Sequence, residues 1–561
     1  MSKKSADETA REEAAREADP DRASKKAWIG FFFLAMALLV IALDLSITDV
    51  AVPSIVSDLS ISADDASLVV TVYMVVASSM MVLMGKVSDL IGARRAFLIG
   101  AASFAIGSFI TGIAPNFGVL LLGRTIQGLV LAITVPASLS LLNHEFPGGR
   151  ARVLAFSIWT AVIGSAMALG PLLGGFLSTY FSWRWAFFIN IPIMIIAVIG
   201  AKATVRPIAV KLKQQGYDVL GSIVLVLGVA LIVFGIQEAT AFGWWTTEQD
   251  TIFGSVPWPF AISATPVMLF VGVLLLIAFF FIDRSRMRRG LGVVLEFTLF
   301  KVKSFTYGTA AAAMMTAGVF GLLLVIPLFA QYILDKNPLG AGIALAPLGV
   351  GMALGGPVIS RLNVPLRKTV LVMLGIQPIA TLSLIPLVNA DTDTVWMIPS
   401  LLINGFAWGA AFSILVSMLM SDVPEELSGV AGGTQTAARL LAGAIGGALL
   451  TTVLLGSVAA QMASVDESAL TAQERQDITQ LYEFSVQISP PTTDSGDTVE
   501  QARQIQTYDQ VIQETKSDMA NGVRWAIILA AFFSFIGFLA GFKLEKVEAA
   551  EATSDEPAAA A

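Results

Sequence analysis

The sequence predicts an all-α polytopic membrane protein of about fourteen transmembrane helices, on three observations. Roughly fourteen apolar runs, each about long enough to cross a bilayer, alternate with short polar loops across 561 residues. The chain is 55% apolar and only 14% charged, too little polar surface for a water-soluble globule of this length. Its 48 glycines and 23 prolines suit helices that pack closely in lipid, where neighbours re-satisfy a broken backbone ladder.

The spans are predicted near residues 27–49, 66–88, 96–115, 118–141, 153–177, 185–203, 218–237, 260–283, 304–330, 339–360, 369–388, 395–420, 428–457 and 523–545. Residues 1–26 are a mixed-charge Ala/Glu/Arg tract that reads as a solvated, disordered tail rather than a signal segment, and 546–561 as a second tail. With the N-terminus inside, and cations at span ends counted with the adjoining segment, 27 of the 35 Lys and Arg fall on the inner side, six on the outer side, and two, Arg124 and Arg439, deep within spans. That bias predicts that both termini are cytoplasmic. The loop at 421–427, with three acids and no base, departs from it.

Two connections are unusual. Residues 238–259 carry Trp244, Trp245 and Trp258, which suit an interfacial aromatic belt. Residues 458–522 form a long outer loop with eleven acids against three bases. Its 499–519 stretch has the spacing of a surface helix, and the loop reads either as a solvated spacer or as a cap over an outer vestibule. There is no cysteine, and the single histidine, His144, sits beside a loop, so no metal site is predicted.

Intramembrane charge carries the functional information. Asp44 in the first span and Arg124 in the fourth lie at depths that agree to roughly 5 Å at 1.5 Å per residue, so they can pair across the bundle. A buried carboxylate beside a fixed cation is a natural proton site; a permanent ion pair locking two helices is the alternative. Asp49 lies about 140° around the helix, nearer the outer water. Toward the inner side, the stretch Gly85-Lys86-Val87-Ser88-Asp89-Leu90-Ile91-Gly92-Ala93-Arg94-Arg95 offers a tight turn at Gly92. Its Asp89, Arg94 and Arg95 can pair with neighbouring helix ends to clamp one conformation.

That stretch resembles the loop-two-to-three signature of the major facilitator superfamily, and Leu43-Asp44-Leu45-Ser46-Ile47-Thr48-Asp49-Val50-Ala51-Val52-Pro53 resembles the first-span motif of its fourteen-span drug:proton antiporter family. Leu122-Gly123-Arg124-Thr125-Ile126-Gln127-Gly128 is similar to the fourth-span motif, whose arginine the family implicates in proton coupling. Gly164 and Gly170-Pro171-Leu172-Leu173-Gly174-Gly175 resemble the fifth-span antiporter motif, followed by Trp183-Arg184-Trp185 and Asn190-Ile191-Pro192. Two departures stand out: Ser46 and Asp49 replace the usual Thr and Asn, and the thirteenth span, Gly433-Thr434-Gln435-Thr436-Ala437-Ala438-Arg439, has no acid where some cation exporters place one.

The resemblance implies two six-helix bundles, 27–203 and 304–545, separated by two inserted spans within 204–303. The segment Gly356-Pro357-Val358-Ile359-Ser360-Arg361 leading to Arg367-Lys368 looks like a degenerate copy of 85–95 in the second half. The fifth-span glycines fall largely on one face, for close packing against one partner. Tyr73, Gln127, Gln331 and Gln435 are expected to line a midplane cavity between the halves.

The implied activity is proton-coupled export of hydrophobic or amphipathic compounds by a monomer in contact with lipid, with no cofactor and no nucleic-acid partner; export of a lipid or endogenous metabolite is the alternative. An intramembrane enzyme is disfavoured because no histidine stands inside the membrane to serve a Ser–His pair, and a primary pump because no P-loop appears. At 100 mV and one pH unit, one proton sustains about a 500-fold gradient of a neutral substrate. A monovalent cation exchanged one for one keeps only about tenfold, so its export would need a second proton site, for which Asp49 and Glu238 are the candidates.

Overall fold

The computed structural model describes residues 24–61, 63–146, 149–207, 218–247, 251–252, 256–336, 338–362, 364–390, 392–462 and 498–544. Residues 1–23 of the predicted N-terminal tail, the C-terminal tail and 463–497 of the long outer loop lie outside the described residues, and with them the choice between spacer and cap, whereas Lys25 and Lys26 already belong to the first helix. Fourteen long helices organise the rest. They are α1 Lys25–Leu59, α2 Ala63–Ile91, α3 Ala93–Gly112, α4 Phe117–Glu145, α5 Gly149–Tyr180, α6 Asn190–Thr204, α7 Val219–Gln237, α8 Ala264–Arg288, α9 Lys303–Leu328, α10 Pro338–Arg361, α11 Leu366–Leu382, α12 Ile398–Ser421, α13 Ser428–Met462 and α14 Thr498–Gly541. Thirteen of them lie in a helical stretch long and apolar enough to cross a membrane, extended at α6 to Trp185–Thr204 and at α11 to Leu366–Leu387, and α5 is a 32-residue helix in their midst. A two-stranded ribbon, Thr251–Ile252 against Val256–Pro257, lies in the α7–α8 connection, where Trp245 is exposed.

Local chemistry sets several of the ends. Ser24, Asn116 and Asp218 accept the orphan N–H groups of Ala27, Val119 and Gly221 at the starts of α1, α4 and α7, at 2.8 to 3.2 Å. Gly92 alone separates α2 from α3, with φ +93°, a conformation an L side chain rarely adopts. Helix α1 runs through Pro53 well past its predicted end, and the surface helix expected at 499–519 is the first half of α14, continuous with the span Lys516–Gly541.

The packing repeats itself. In the first half α1 packs on α5 and α6, α4 on α2 and α3, and α3 on α6. In the second half α9 packs on α13 and α14, α12 on α10 and α11, and α11 on α14. Each pair recurs eight positions later in the helix order. The halves join the same way, α2 and α4 against α13 matching α10 and α12 against α5, so a pseudo-twofold axis relates the bundles. The inserted helices α7 and α8 pack on each other, and α7 leans on α2 and α13 at one end of this interface.

Candidate functional site

Asp44 lies on α1, 1% exposed, and its carboxylate is held by three donors. Arg124 Nη1 of α4 donates to Oδ2 at 2.6 Å; Gln127 Nε2 of α4 and Asn190 Nδ2 of α6 donate to Oδ1, each at 2.9 Å. Gln127 sits three residues after Arg124, which places both on one helix face. The same two amides also donate to Ser108 Oγ of α3, at 3.0 and 3.2 Å. Helix α2 completes the enclosure: Arg124 Nε donates to Val69 O at 3.0 Å, and the guanidinium lies over the Tyr73 ring, 4.4 Å from its centroid. Five of the six helices of the first half thus converge on one fully buried ion pair. Arg124 Nη2 makes no hydrogen bond among the described residues.

A buried pair of this kind is costly to assemble and more costly to break, because removal of one partner strands the other charge, at about 3–5 kcal/mol. Every partner of Asp44 is a donor, so the site is built for the carboxylate. A proton on Asp44 would meet those donors and release Arg124.

The other predicted residues distribute differently. Gln127 and Tyr73, expected to line a cavity, are fully buried as the cradle of Asp44 and Arg124. Gln435 is buried within α13, where its Oε1 accepts from Thr436 Oγ1 at 3.2 Å. Gln331 is half-buried in the π-turn Phe329–Ile333 that follows α9. Asp49 lies in α1 past Asp44, its side chain outside the description; Glu238, buried at the end of α7, belongs to none of the helices that hold Asp44. Ser108 is not among the residues singled out from the sequence, and Asn190 stands there only within the pattern Asn190-Ile191-Pro192, with no tie to Asp44.

At the face where α1 begins and α14 ends, Asp89 of α2 reaches into the other half. Its Oδ1 accepts Gly429 N at 2.8 Å and its Oδ2 accepts Val430 N at 2.9 Å, so it caps the first turn of α13. The glycines make this approach possible: a Cβ on Gly429 would lie 2.6 Å from Gly85 O, and one on Gly85 would collide with Gly429. Ser140 of α4 and Ser428 of α13 share a 2.7 Å hydrogen bond close by. Arg94 also pairs with a helix end, donating to Lys202 O at the end of α6, but within its own half, and Arg95 is exposed. The charge on α2 that crosses between the halves is therefore Asp89. In the repeat, Gly356 of α10 packs against the Ser157 backbone of α5 as Gly85 packs against Gly429.

The fifth-span glycines serve two partners rather than one. A Cβ on Gly164 would lie 2.6 Å from Met352 Cβ of α10, across the halves, whereas Gly170 abuts Ser46 of α1, whose Oγ donates to Ala166 O at 3.1 Å. Six residues at 100° each leave these two glycines about 120° apart, which accounts for the split. Gly174 is buried, Gly175 half-buried, and the Pro171 side chain lies outside the description. Arg184 ties the opposite face of the first half together, donating to Asp58 at the end of α1 and to Ala114 O between α3 and α4, the latter at 3.0 Å. Arg184 and Trp183 Nε1, both hydrogen-bonded to Asp58, hold its carboxyl below the usual carboxylate range.

Known proteins share this architecture. The puromycin resistance protein pur8 of Streptomyces alboniger is 30% identical over 452 residues, 78% of this chain and 84% of that protein. The multidrug resistance protein Stp of Mycobacterium tuberculosis (strain CDC 1551 / Oshkosh) is 26% identical, over 91% of this chain and 90% of its own. The crystal structure of the human organic anion transporter MFSD10 superimposes with a TM-score of 0.53 over 93% of this chain and all of that one; at 14% identity the likeness is one of fold alone. The sequence profile of the Major Facilitator Superfamily matches residues 34–242 and 222–447. With paired six-helix halves, two inserted helices and matches over most of its length, this chain belongs to the Major Facilitator Superfamily.

Proposed function

We propose that the protein is a proton-driven exporter of hydrophobic or amphipathic compounds, working as a monomer in a bacterial cytoplasmic membrane with the proton gradient as its energy source and no cofactor. The observation that carries this reading is the buried Asp44–Arg124 pair, a single acid held by donors from α4 and α6 and enclosed by five of the six helices of one half. Relatives named for puromycin and multidrug resistance support the choice of cargo class. A proton entering from outside neutralises Asp44 and frees Arg124, and the helices that shared the pair repack. Return of the proton to the cytoplasm restores the pair. The contacts of Asp89, Gly85, Ser140 and Gly164 with the second half all lie between the termini and the middle of the bundle. With cytoplasmic termini, this conformer is closed to the cytoplasm.

The test is uptake into proteoliposomes under an imposed pH gradient, comparing cationic dyes, neutral antibiotics and lipids. At least one amphipathic compound is expected to accumulate uphill and to leak back when the gradient is collapsed. Movement that only ever equalises concentrations would refute proton drive, and accumulation of lipid alone would shift the cargo to lipid.

Orientation has its own check. Ser285 at the end of α8 and Ser383 after α11 are both exposed. A cysteine at 383 is expected to react with an impermeant maleimide in intact cells, and one at 285 only after permeabilisation. The reverse pattern would invert the topology. Ser88, although in an inner segment, is fully buried and unsuitable as a reporter.

A further inference from the structure

The second intramembrane arginine has no acid beside it among the described residues. Arg439 lies eleven residues into α13, about 16 Å along the helix from the clamped end. It is 6% exposed, and among the described residues it has no ion pair, while its Nε and Nη1 have no hydrogen-bond partner. Its guanidinium rests on the Phe412 ring of α12, 4.1 Å from the centroid. Phe412 is stacked on Trp408 at 4.8 Å and reaches Trp159 of α5, in the other half, at 6.2 Å. The arginine therefore stands on an aromatic platform that spans the seam between the halves.

Two further donors stand close in the chain or on the same platform: among the described residues Gln435 Nε2, one turn before Arg439, and Trp408 Nε1, on the ring stacked against Phe412, are buried without a hydrogen-bond partner. The buried amide oxygens left unpaired in this half, Asn404 Oδ1 one turn before Trp408 and Gln377 Oε1, lie on α12 and α11, where Asn404 Nδ2 donates to Gln377 O. A cation and two further donors left unpaired inside a membrane bundle are costly, and cation–π contact with one ring offsets only part of that cost. Arg124, in the other half, shows how this protein satisfies a buried arginine, with a carboxylate, a backbone carbonyl and an amide oxygen. What Arg439 lacks is an acceptor, preferably a charged one.

We propose that Arg439, with Trp408 and Gln435, is the anchor for the acidic group of an aromatic monoanion, a carboxylate or sulfonate whose ring system lies against the Trp408–Phe412–Trp159 platform. This rests on the exporter reading for its physiological sense. An anion leaving a cell that is negative inside moves down the membrane potential, so the charge that would demand a second proton for a cationic cargo assists an anionic one.

The experiment uses the full-length protein in lipid nanodiscs and three matched fluorescent probes: 1-pyrenebutyrate, 1-pyrenebutanol and 4-(1-pyrenyl)butylammonium. Binding is read by energy transfer from tryptophan to pyrene. The wild type is expected to bind the carboxylate about tenfold or more tighter than the alcohol, and the ammonium most weakly. Arg439→Gln should lower carboxylate affinity to that of the alcohol while leaving the alcohol unchanged, and Arg439→Lys should keep part of the preference. Equal wild-type affinities for the three probes overturn the proposal, as does a loss in Arg439→Gln that is the same for carboxylate and alcohol. If Arg439→Gln does not fold, the wild-type ratios and Arg439→Lys decide. Failure of the exporter reading looks different: anion preference in nanodiscs without uphill transport of any probe in proteoliposomes. Gradient-driven transport without anion preference would retain the exporter and remove the site.

Discussion

Asp44→Asn is expected to reduce uphill export under a pH gradient to the passive background while leaving equilibrium substrate binding nearly unchanged. The amide preserves side-chain volume and can still accept from Asn190 and Gln127, but it carries no exchangeable charge. Arg124 then lies buried without its counter-ion, so the variant should also lose about 3 kcal/mol of stability, seen as a lower melting temperature in detergent. Arg124→Gln tests the pair from the other side, since it strands the carboxylate and should likewise uncouple transport. Uphill export by Asp44→Asn at the wild-type rate would remove Asp44 as proton carrier and turn attention to Asp49 or Glu238.

The second large effect is expected at the clamp. Asp89→Ala removes both charge-assisted hydrogen bonds to Gly429 and Val430, contacts of a kind worth about 1.5–3 kcal/mol each. Even half of that total shifts the equilibrium between conformers by more than about tenfold. Cysteine pairs across α2 and α13 near 85 and 429 should then crosslink more slowly, with turnover falling and midplane substrate affinity little changed. Gly85→Val should act in the same direction by collision with the Gly429 backbone, without touching any charge. If either change mainly weakened substrate binding, Asp89 would belong to the cargo site and not to a conformational latch.

The pair at the centre of this account was legible in the sequence because charge is rare in the spans, so two groups at matching depth stand out. The turn at Gly92 and the reach of Asp89 to a helix end were legible as well, since a one-residue turn demands glycine and a carboxylate prefers a helix N-terminus. The partner was not legible, because Gly429 and Val430 lie 340 and 341 residues away and contribute only backbone N–H groups. The tie of Asn190 and Ser108 to Asp44 was not legible for a related reason. Small polar residues are scattered through these helices, and many satisfy themselves on their own backbone, as Ser78 does on Met74 O. Gln127 was read as a cavity residue although its spacing from Arg124 already placed the two together. The glycines of α5 misled by number, since close packing was foreseen but not that it serves α1 and α10 on different faces.

The central claim, that Asp44 gives up or takes a proton as the transporter handles its cargo, is tested most directly by counting protons. Purified protein in weakly buffered solution should exchange about one proton per substrate bound, with the number varying with pH, and Asp44→Asn should bind substrate with no proton exchanged. The same proton count in the variant as in the wild type would contradict the account.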